Sequence, residues 1–382
     1  MNFPRLQGMT EALRLTQAGQ LNDASVLLQQ LCQGLPAASV RDVTPQPSYV
    51  INLARKLPKA IAGSASAGAA APRAFHAGAF HEGAFRGAAT AKPANPPMPA
   101  GAAFHALTYS GPTGSRAYRL YVPASYRGEA VPLIVMLHGC TQSPEDFARG
   151  TGMNVQAEAE GCLVAYPAQP SSANPQKCWN WFNANDQQRD QGEPAILAGL
   201  TRQIMRDYAV DPRRVYVAGL SAGGAAAAIL GAVYPDLYAA IGVHSGLACG
   251  AARDMPSAFS AMRQGGTAPS RVAAGQRTPP AIVFHADKDG TVHPRNGDQV
   301  LAQFGAGPDL KPERQDGQVP GGHRYTISRY RNGQGEAQLE HWLIQGGGHA
   351  WAGGHAPGSY TDPRGPDASR EMLRFFLQHR LA

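Results

Sequence analysis

The chain has 382 residues, 43% hydrophobic and 16% charged, with 34 Lys and Arg against 27 Asp and Glu for a net charge of +7. This composition supplies a large buried core and excludes a wholly disordered chain, while no uninterrupted apolar stretch reaches the ~18 residues that a membrane-spanning helix needs. The basic residues are scattered without a run, so the surplus reads as a solvated basic surface and nucleic acid is not an expected partner.

Residues 1–55 predict a helical hairpin. Met9, Ala12, Leu13 and Thr16 share one face, Ala24, Leu27, Leu28 and Leu31 another, and Gly19 separates the two runs. A unit this small needs the rest of the chain, a second copy, or a surface such as a storage-granule coat to cover its apolar side. The start, Met1-Asn2-Phe3-Pro4-Arg5, lacks the apolar run of a secretory signal, which favours a cytoplasmic, granule-associated location, with an extracellular one as the alternative. Residues 56–103 are rich in Ala, Gly and Pro and carry Phe75, Phe80 and Phe85 five residues apart. They predict a flexible linker, because Gly and Ala offer too little burial to offset ordering. His76 and His81 have no third ligand nearby, so no metal is expected there.

A larger domain is predicted over residues 104–382. Residues 104–110 and 117–122, joined by Gly111-Pro112-Thr113-Gly114, predict an antiparallel hairpin at the edge of a sheet. Residues 131–137 hold six apolar residues in seven and run into His138-Gly139-Cys140-Thr141-Gln142, a strand followed by a tight turn. Further strands are expected near Leu163, Val215, Ala240, Ile282 and Leu339, with helical segments between most of them, notably 195–208, and a closing helix over 368–379. The alternation predicts an α/β fold whose central sheet is mostly parallel with helices on both faces, and whose functional residues gather at the C-terminal ends of the strands.

Within that domain, Arg214-Val215-Tyr216-Val217-Ala218-Gly219-Leu220-Ser221-Ala222-Gly223-Gly224-Ala225 reads as buried strand, sharp turn and helix. The G-x-S-x-G turn holds a serine hydroxyl out in the open on a strained corner, with glycines where a side chain would strike the adjoining strand and helix. The pattern alone is weak, since a serine between glycines is usually only a turn, but its context is the required one. In the fold that uses this turn, an acid and then a histidine follow in chain order. Residues 281–285 form an apolar run leading into Asp287-Lys288-Asp289, of which Asp289 is the candidate acid and Asp287 the competitor, whose alternative role is to bond its own turn. Residues 339–344 predict a late strand, and Gly346-Gly347-Gly348-His349 then delivers the candidate base on a glycine loop. A developing oxyanion needs two backbone N–H donors, and Ala222 and Cys140 are the candidates. Nothing in this set calls for a cofactor.

Five blocks together resemble the poly(3-hydroxybutyrate) depolymerase family of esterases, related to feruloyl and acetyl xylan esterases, in the α/β-hydrolase superfamily. They are His138-Gly139-Cys140-Thr141-Gln142, Cys178-Trp179-Asn180-Trp181-Phe182, Gly219-Leu220-Ser221-Ala222-Gly223-Gly224, residues 289–294, and Gly348-His349-Ala350-Trp351-Ala352-Gly353-Gly354. The resemblance covers roughly residues 105 to 382 and implies an α/β-hydrolase fold and a serine esterase with Ser221, Asp289 and His349 as its triad. It also implies an oxyanion site framed by Cys140 and Ala222, and a substrate cleft bordered by His138, Thr141, Trp179, Trp181 and Trp351. The tryptophans could equally be core or rim packing. The implied substrate is a short-chain polyhydroxyalkanoate such as polyhydroxybutyrate, or its oligomers. A feruloyl or acetyl ester of plant polysaccharide and a non-catalytic polymer or granule binding protein are the alternatives. The sequence shows neither the leader nor the polymer-binding segment usual in secreted depolymerases, which weakens the polyester expectation more than the esterase one.

Five cysteines, at 32, 140, 162, 178 and 249, form no C-x-x-C and no zinc-like spacing, so no metal site is expected. A Cys140–Cys178 disulfide is the expectation, clamping the candidate oxyanion loop to the Trp179 segment. Reduced buried thiols are the competing reading if the chain stays in the cytosol.

Overall fold

A computed structural model describes residues 98–266, 277–307 and 311–382, all belonging to one compact unit, residues 87–382. The expected hairpin over 1–55 and nearly all of the expected linker over 56–103 lie outside the described residues. Among the described residues no helix is long and apolar enough to cross a membrane.

Ten strands form one sheet, in chain order β1 (Ala103–Gly111), β2 (Gly114–Val122), β3 (Val131–Leu137), β4 (Leu163–Pro167), β5 (Val210–Leu220), β6 (Ala240–His244), β7 (Ala281–Ala286), β8 (Glu313–Gln318), β9 (Arg324–Arg331) and β10 (Ala337–Gln345). Their spatial order is β1-β2-β4-β3-β5-β6-β7-β10-β9-β8. The six strands from β4 through β10 are mutually parallel, and antiparallel pairs extend the sheet at both margins. Each of the six parallel strands corresponds to an expected one, and β1–β2 is the expected edge hairpin. The β8–β9 hairpin was not foreseen: β8 reads Glu-Arg-Gln-Asp-Gly-Gln, is largely exposed, and carries no apolar alternation to betray a strand.

Strands β3 and β4 are apolar and buried throughout because both sheet faces are covered there. In β3, Leu133, Val135 and Leu137 enter one core and Ile134 and Met136 the other, the period of two that a pleated strand imposes. On the first face lie α3 (Gly192–Asp207), α4 (Ala222–Val233), α5 (Met255–Gln264) and α6 (Arg295–Gln303). The opposite face carries α1 (Pro144–Thr151), α2 (Met153–Glu160) and the closing α7 (Ala368–Leu377). Helix α1 starts where the sequence dictates: the Ser143 hydroxyl accepts from Asp146 N–H, Pro144 occupies the first turn, and Glu145 and Asp146 place negative charge at the positive end of the helix.

Candidate active site

Strand β5 ends and α4 begins at Ser221, whose backbone is forced to φ 57° and ψ −120°. This is a left-handed φ that a non-glycine residue holds only under constraint. The constraint is visible in the neighbouring glycines. A Cβ on Gly219 would sit 2.7 Å from the Leu137 carbonyl oxygen, and one on Gly223 would overlap that same oxygen and come within 2.6 Å of the His138 carbonyl oxygen. Only hydrogen atoms fit between the elbow, β3 and α4. Ser221 itself remains partly exposed.

The candidate acid and base meet across two loops. His349 lies after β10, and its Nδ1 donates to Asp289 Oδ2 at 2.7 Å, with the imidazole 11% exposed and the carboxylate fully buried. A carboxylate can only accept, so Nδ1 carries the proton and Nε2 is left with its lone pair. Asp289 Oδ1 accepts from the N–H groups of Thr291 and Val292 at 2.9 and 2.8 Å, which fixes the orientation of the carboxylate. His285 Nε2 donates to the Val292 carbonyl at 2.8 Å and stands 3.5 Å from Asp289 Oδ2. Burial by itself would raise the Asp289 carboxyl, but its hydrogen bonds and electrostatic interaction with His285 and His349 outweigh it and hold the group well below the usual carboxylate range. Asp287, the competitor, is exposed and accepts from Gly346 N–H at 2.6 Å, so it fastens the turn after β7 to the loop that carries His349.

His244 was not among the expected site residues, yet it ties these parts together. Its carbonyl accepts the Ser221 N–H at 2.9 Å, and its Nε2 accepts Ala352 N–H at 3.0 Å, three residues beyond His349. The ring is fully buried, stacked on Phe284 and Trp351, and burial, with His285 and His349 nearby, lowers it to about 3. Its only advance signal was a histidine at the end of an apolar strand. Among the described residues, the Ser221 hydroxyl makes no hydrogen bond to His349. Such bonds are often long in enzymes without substrate and tighten once it binds.

The loop after β3 lies against the elbow, since a Cβ on Gly139 would be 3.6 Å from Ser221 Cβ. Ala222 opens α4, so its N–H has no acceptor within the helix. Cys140 is joined to Cys178 by a disulfide across 38 residues of sequence, while Cys162 and Cys249 are free. The competing picture of reduced thiols does not hold for this pair. By the chain-entropy argument a loop of that length is worth about 4 kcal/mol. Cys178→Ser is therefore expected to lose most of that in urea unfolding, and mass spectrometry after denaturing alkylation without reductant should leave Cys140 and Cys178 unlabelled.

The expected substrate-cleft residues divide. Thr141 is exposed, with φ 66°, and its Oγ1 lies 3.3 Å from the hydroxyl of exposed Tyr360. Trp179 and Trp351 are fully buried and Trp181 is 6% exposed, which is the core packing that the sequence left open beside a place at the cleft. Trp179 Nε1 donates to the His138 carbonyl, and Trp351 Nε1 to Ser369 Oγ. His138 is likewise buried, with both ring nitrogens bonded to backbone and burial lowering it to about 4, so it offers nothing to a substrate directly. His138 and His244 thus fold neutral. An unfolded histidine takes up a proton near pH 6.5, so their contribution to stability is complete above that value and declines as pH falls toward 4. The urea midpoint is expected to drop steadily over that window.

A family profile described as Esterase PHB depolymerase matches residues 116–308, half of the chain, a span that includes Ser221 and Asp289 and ends before His349. The chain is 32% identical over 241 residues to poly(3-hydroxyalkanoate) depolymerase C of Paucimonas lemoignei, covering 60% of this chain and 57% of that one. It is 35% identical over 122 residues to poly(3-hydroxybutyrate) depolymerase of Ralstonia pickettii, covering 30% of this chain and 25% of that relative. It thus spans little more than half of the first and a quarter of the second. With feruloyl esterase B of Thermothelomyces thermophilus the identity is 30% over 256 residues, covering 62% of this chain and 84% of the relative. Among solved structures, an acetyl xylan esterase from Aspergillus awamori superposes with a TM-score of 0.56 at 21% identity, covering 72% of this chain and 98% of that one, a likeness of fold. The fold is thus that of the α/β-hydrolase esterases, and the chain belongs to the Esterase PHB depolymerase family.

Proposed function

We propose that the protein hydrolyses carboxylic esters through an acyl-enzyme on Ser221. The observation that carries this reading is the buried Asp289 carboxylate holding His349 Nδ1–H at 2.7 Å, in a loop that His244 bonds to the backbone of Ser221. Ser221 Oγ attacks the ester carbonyl carbon while its proton passes to His349 Nε2. The negative charge on the former carbonyl oxygen is met by the N–H groups of Cys140 and Ala222. Collapse breaks the bond to the alkoxy oxygen, which leaves as an alcohol with the proton from His349. Water then repeats the sequence on the acyl-enzyme and releases the acid. Asp289 keeps the imidazole in the correct tautomer and stabilises the imidazolium that forms in each half.

For substrate we propose a short-chain hydroxyalkanoate polyester or its soluble oligomers, supported by the two depolymerases among the relatives. Feruloyl or acetyl esters are the second reading, because the alignment spans 84% of the feruloyl esterase but only 57% of depolymerase C. A panel of hydroxybutyrate oligomers, amorphous polyhydroxybutyrate, p-nitrophenyl butyrate and methyl ferulate tests both. The proposal expects the highest kcat/KM on the oligomers. Preference for methyl ferulate would transfer it to the second reading, and polymer binding without turnover of any ester would make this a binding protein.

A further inference from the structure

We propose that His138 is a positioning residue for the oxyanion site, its side chain locking the Gly139–Cys140 peptide so that the Cys140 N–H stays turned to the reacting oxygen. This inference rests on the proposed esterase reading and adds to it a residue that acts through the backbone. The chemistry of its two neighbours settles the ring's tautomer. The Gly139 carbonyl, 2.7 Å from Nδ1, can only accept, and the Gln169 N–H, 3.1 Å from Nε2, can only donate. Nδ1 is therefore the protonated nitrogen, and it pulls the Gly139 oxygen toward itself. The Gln142 N–H reaches the same oxygen at 3.4 Å. No peptide bond in the described residues is cis, so the Cys140 N–H must point opposite to the oxygen that these two donors hold.

The remaining donors of the turn are already spent. Gly139 N–H bonds Gln142 Oε1 at 2.9 Å and Thr141 N–H bonds the Gln176 carbonyl at 2.7 Å. Among the described residues, the Cys140 N–H is the one donor from Gly139 through Gln142 that no hydrogen bond uses. The lock is anchored from behind. Gln169, whose backbone holds His138 Nε2, reaches with its side chain to the Cys178 carbonyl at 2.9 Å and to Glu193 Oε1, and Glu193 in turn accepts Asn180 N–H at 2.7 Å. The segment that the disulfide fastens to Cys140 is thus hydrogen-bonded to the side chain of the residue whose backbone N–H fixes the tautomer of His138. If the ring were lost, the Gly139–Cys140 peptide could rotate and present a carbonyl where the oxyanion needs an N–H.

Three variants separate positioning from plain packing, each first checked for a cooperative melt. His138→Asn can place an amide donor near the Nδ1 position, whereas His138→Gln can reach only the Nε2 side and His138→Leu neither. With p-nitrophenyl butyrate, His138→Leu and His138→Gln are expected to lose about 100-fold in kcat, the scale of one missing oxyanion donor, with KM within about twofold, while His138→Asn stays within about tenfold of wild type. The Ki of a trifluoromethyl ketone, whose adduct carries the oxyanion, should rise in parallel with the fall in kcat. Should His138→Leu fail to fold, the Asn and Gln variants carry the comparison. Equal losses in Asn and Gln, a loss confined to KM, or an unchanged Ki would overturn the inference while leaving the esterase reading intact. An inactive wild type, or full activity in Ser221→Ala, would instead overturn the esterase reading itself.

Discussion

Ser221→Ala is expected to lower kcat on p-nitrophenyl butyrate by roughly 10⁵ to 10⁶-fold, the scale at which removing a serine nucleophile acts, equivalent to about 7 to 8 kcal/mol of transition-state stabilisation. The loss should appear in kcat with little change in KM, and among the described residues the Ser221 hydroxyl makes no hydrogen bond that holds the fold. Thermal stability should stay at wild type or rise slightly. Alanine at this position still carries the strained φ of 57°, so the elbow is set by Gly219, Gly223 and the Leu137 carbonyl rather than by the residue at its tip. Stopped-flow and steady-state assays with contaminant-free protein check the number. A variant within tenfold of wild type would remove the nucleophile from the account.

Asp289→Asn is expected to cost roughly 10⁴-fold in kcat, about 5.5 kcal/mol, although it changes only one atom. The N–H groups of Thr291 and Val292 select the amide oxygen for the position that Oδ1 holds, which turns the new NH₂ toward His349 Nδ1. Two donors cannot face each other, so His349 must move its proton to Nε2, the nitrogen that has to accept from Ser221. The same substitution alters stability against acid. Because the folded Asp289 carboxyl is held below its unfolded value near 3.9, its contribution is present above that pH and is lost as pH falls through the folded value. Wild type should therefore lose stability in that acidic range more steeply than Asp289→Asn, as urea titrations at successive pH values will read. Asp287→Asn, by contrast, removes only a turn contact to Gly346 and should leave kcat within a few-fold.

The parts that sequence made legible are those in which local chemistry and topology coincide. The run from Val215 to Ala225 declares strand, turn and helix by periodicity and glycine placement, and the elbow is built as that pattern requires. Asp289 and His349 follow from chain order, but the choice between Asp289 and Asp287 depends on which carboxylate is buried, and two acids separated by one residue do not reveal that. The resemblance implied that His138 borders the substrate cleft, whereas its ring is bonded to the backbone on both sides. For Trp179 and Trp351 the resemblance implied a place at the cleft while core or rim packing stayed equally open. Both are buried, with indole partners distant in sequence: the His138 carbonyl for Trp179 and Ser369 on α7 for Trp351. His244 was invisible for the converse reason: its two bonds reach residues 23 earlier and 108 later, and no spacing encodes them.

Covalent labelling bears most directly on the central claim, that Ser221 is the activated nucleophile. The protein is inactivated with an alkyl fluorophosphonate, digested, and mapped by mass spectrometry, with residual esterase activity followed in parallel. The account predicts one adduct per chain, on Ser221, its yield matching the activity lost, and none in His349→Ala over the same time. Full inactivation with the adduct on another residue, or undiminished activity with Ser221 fully modified, would contradict it.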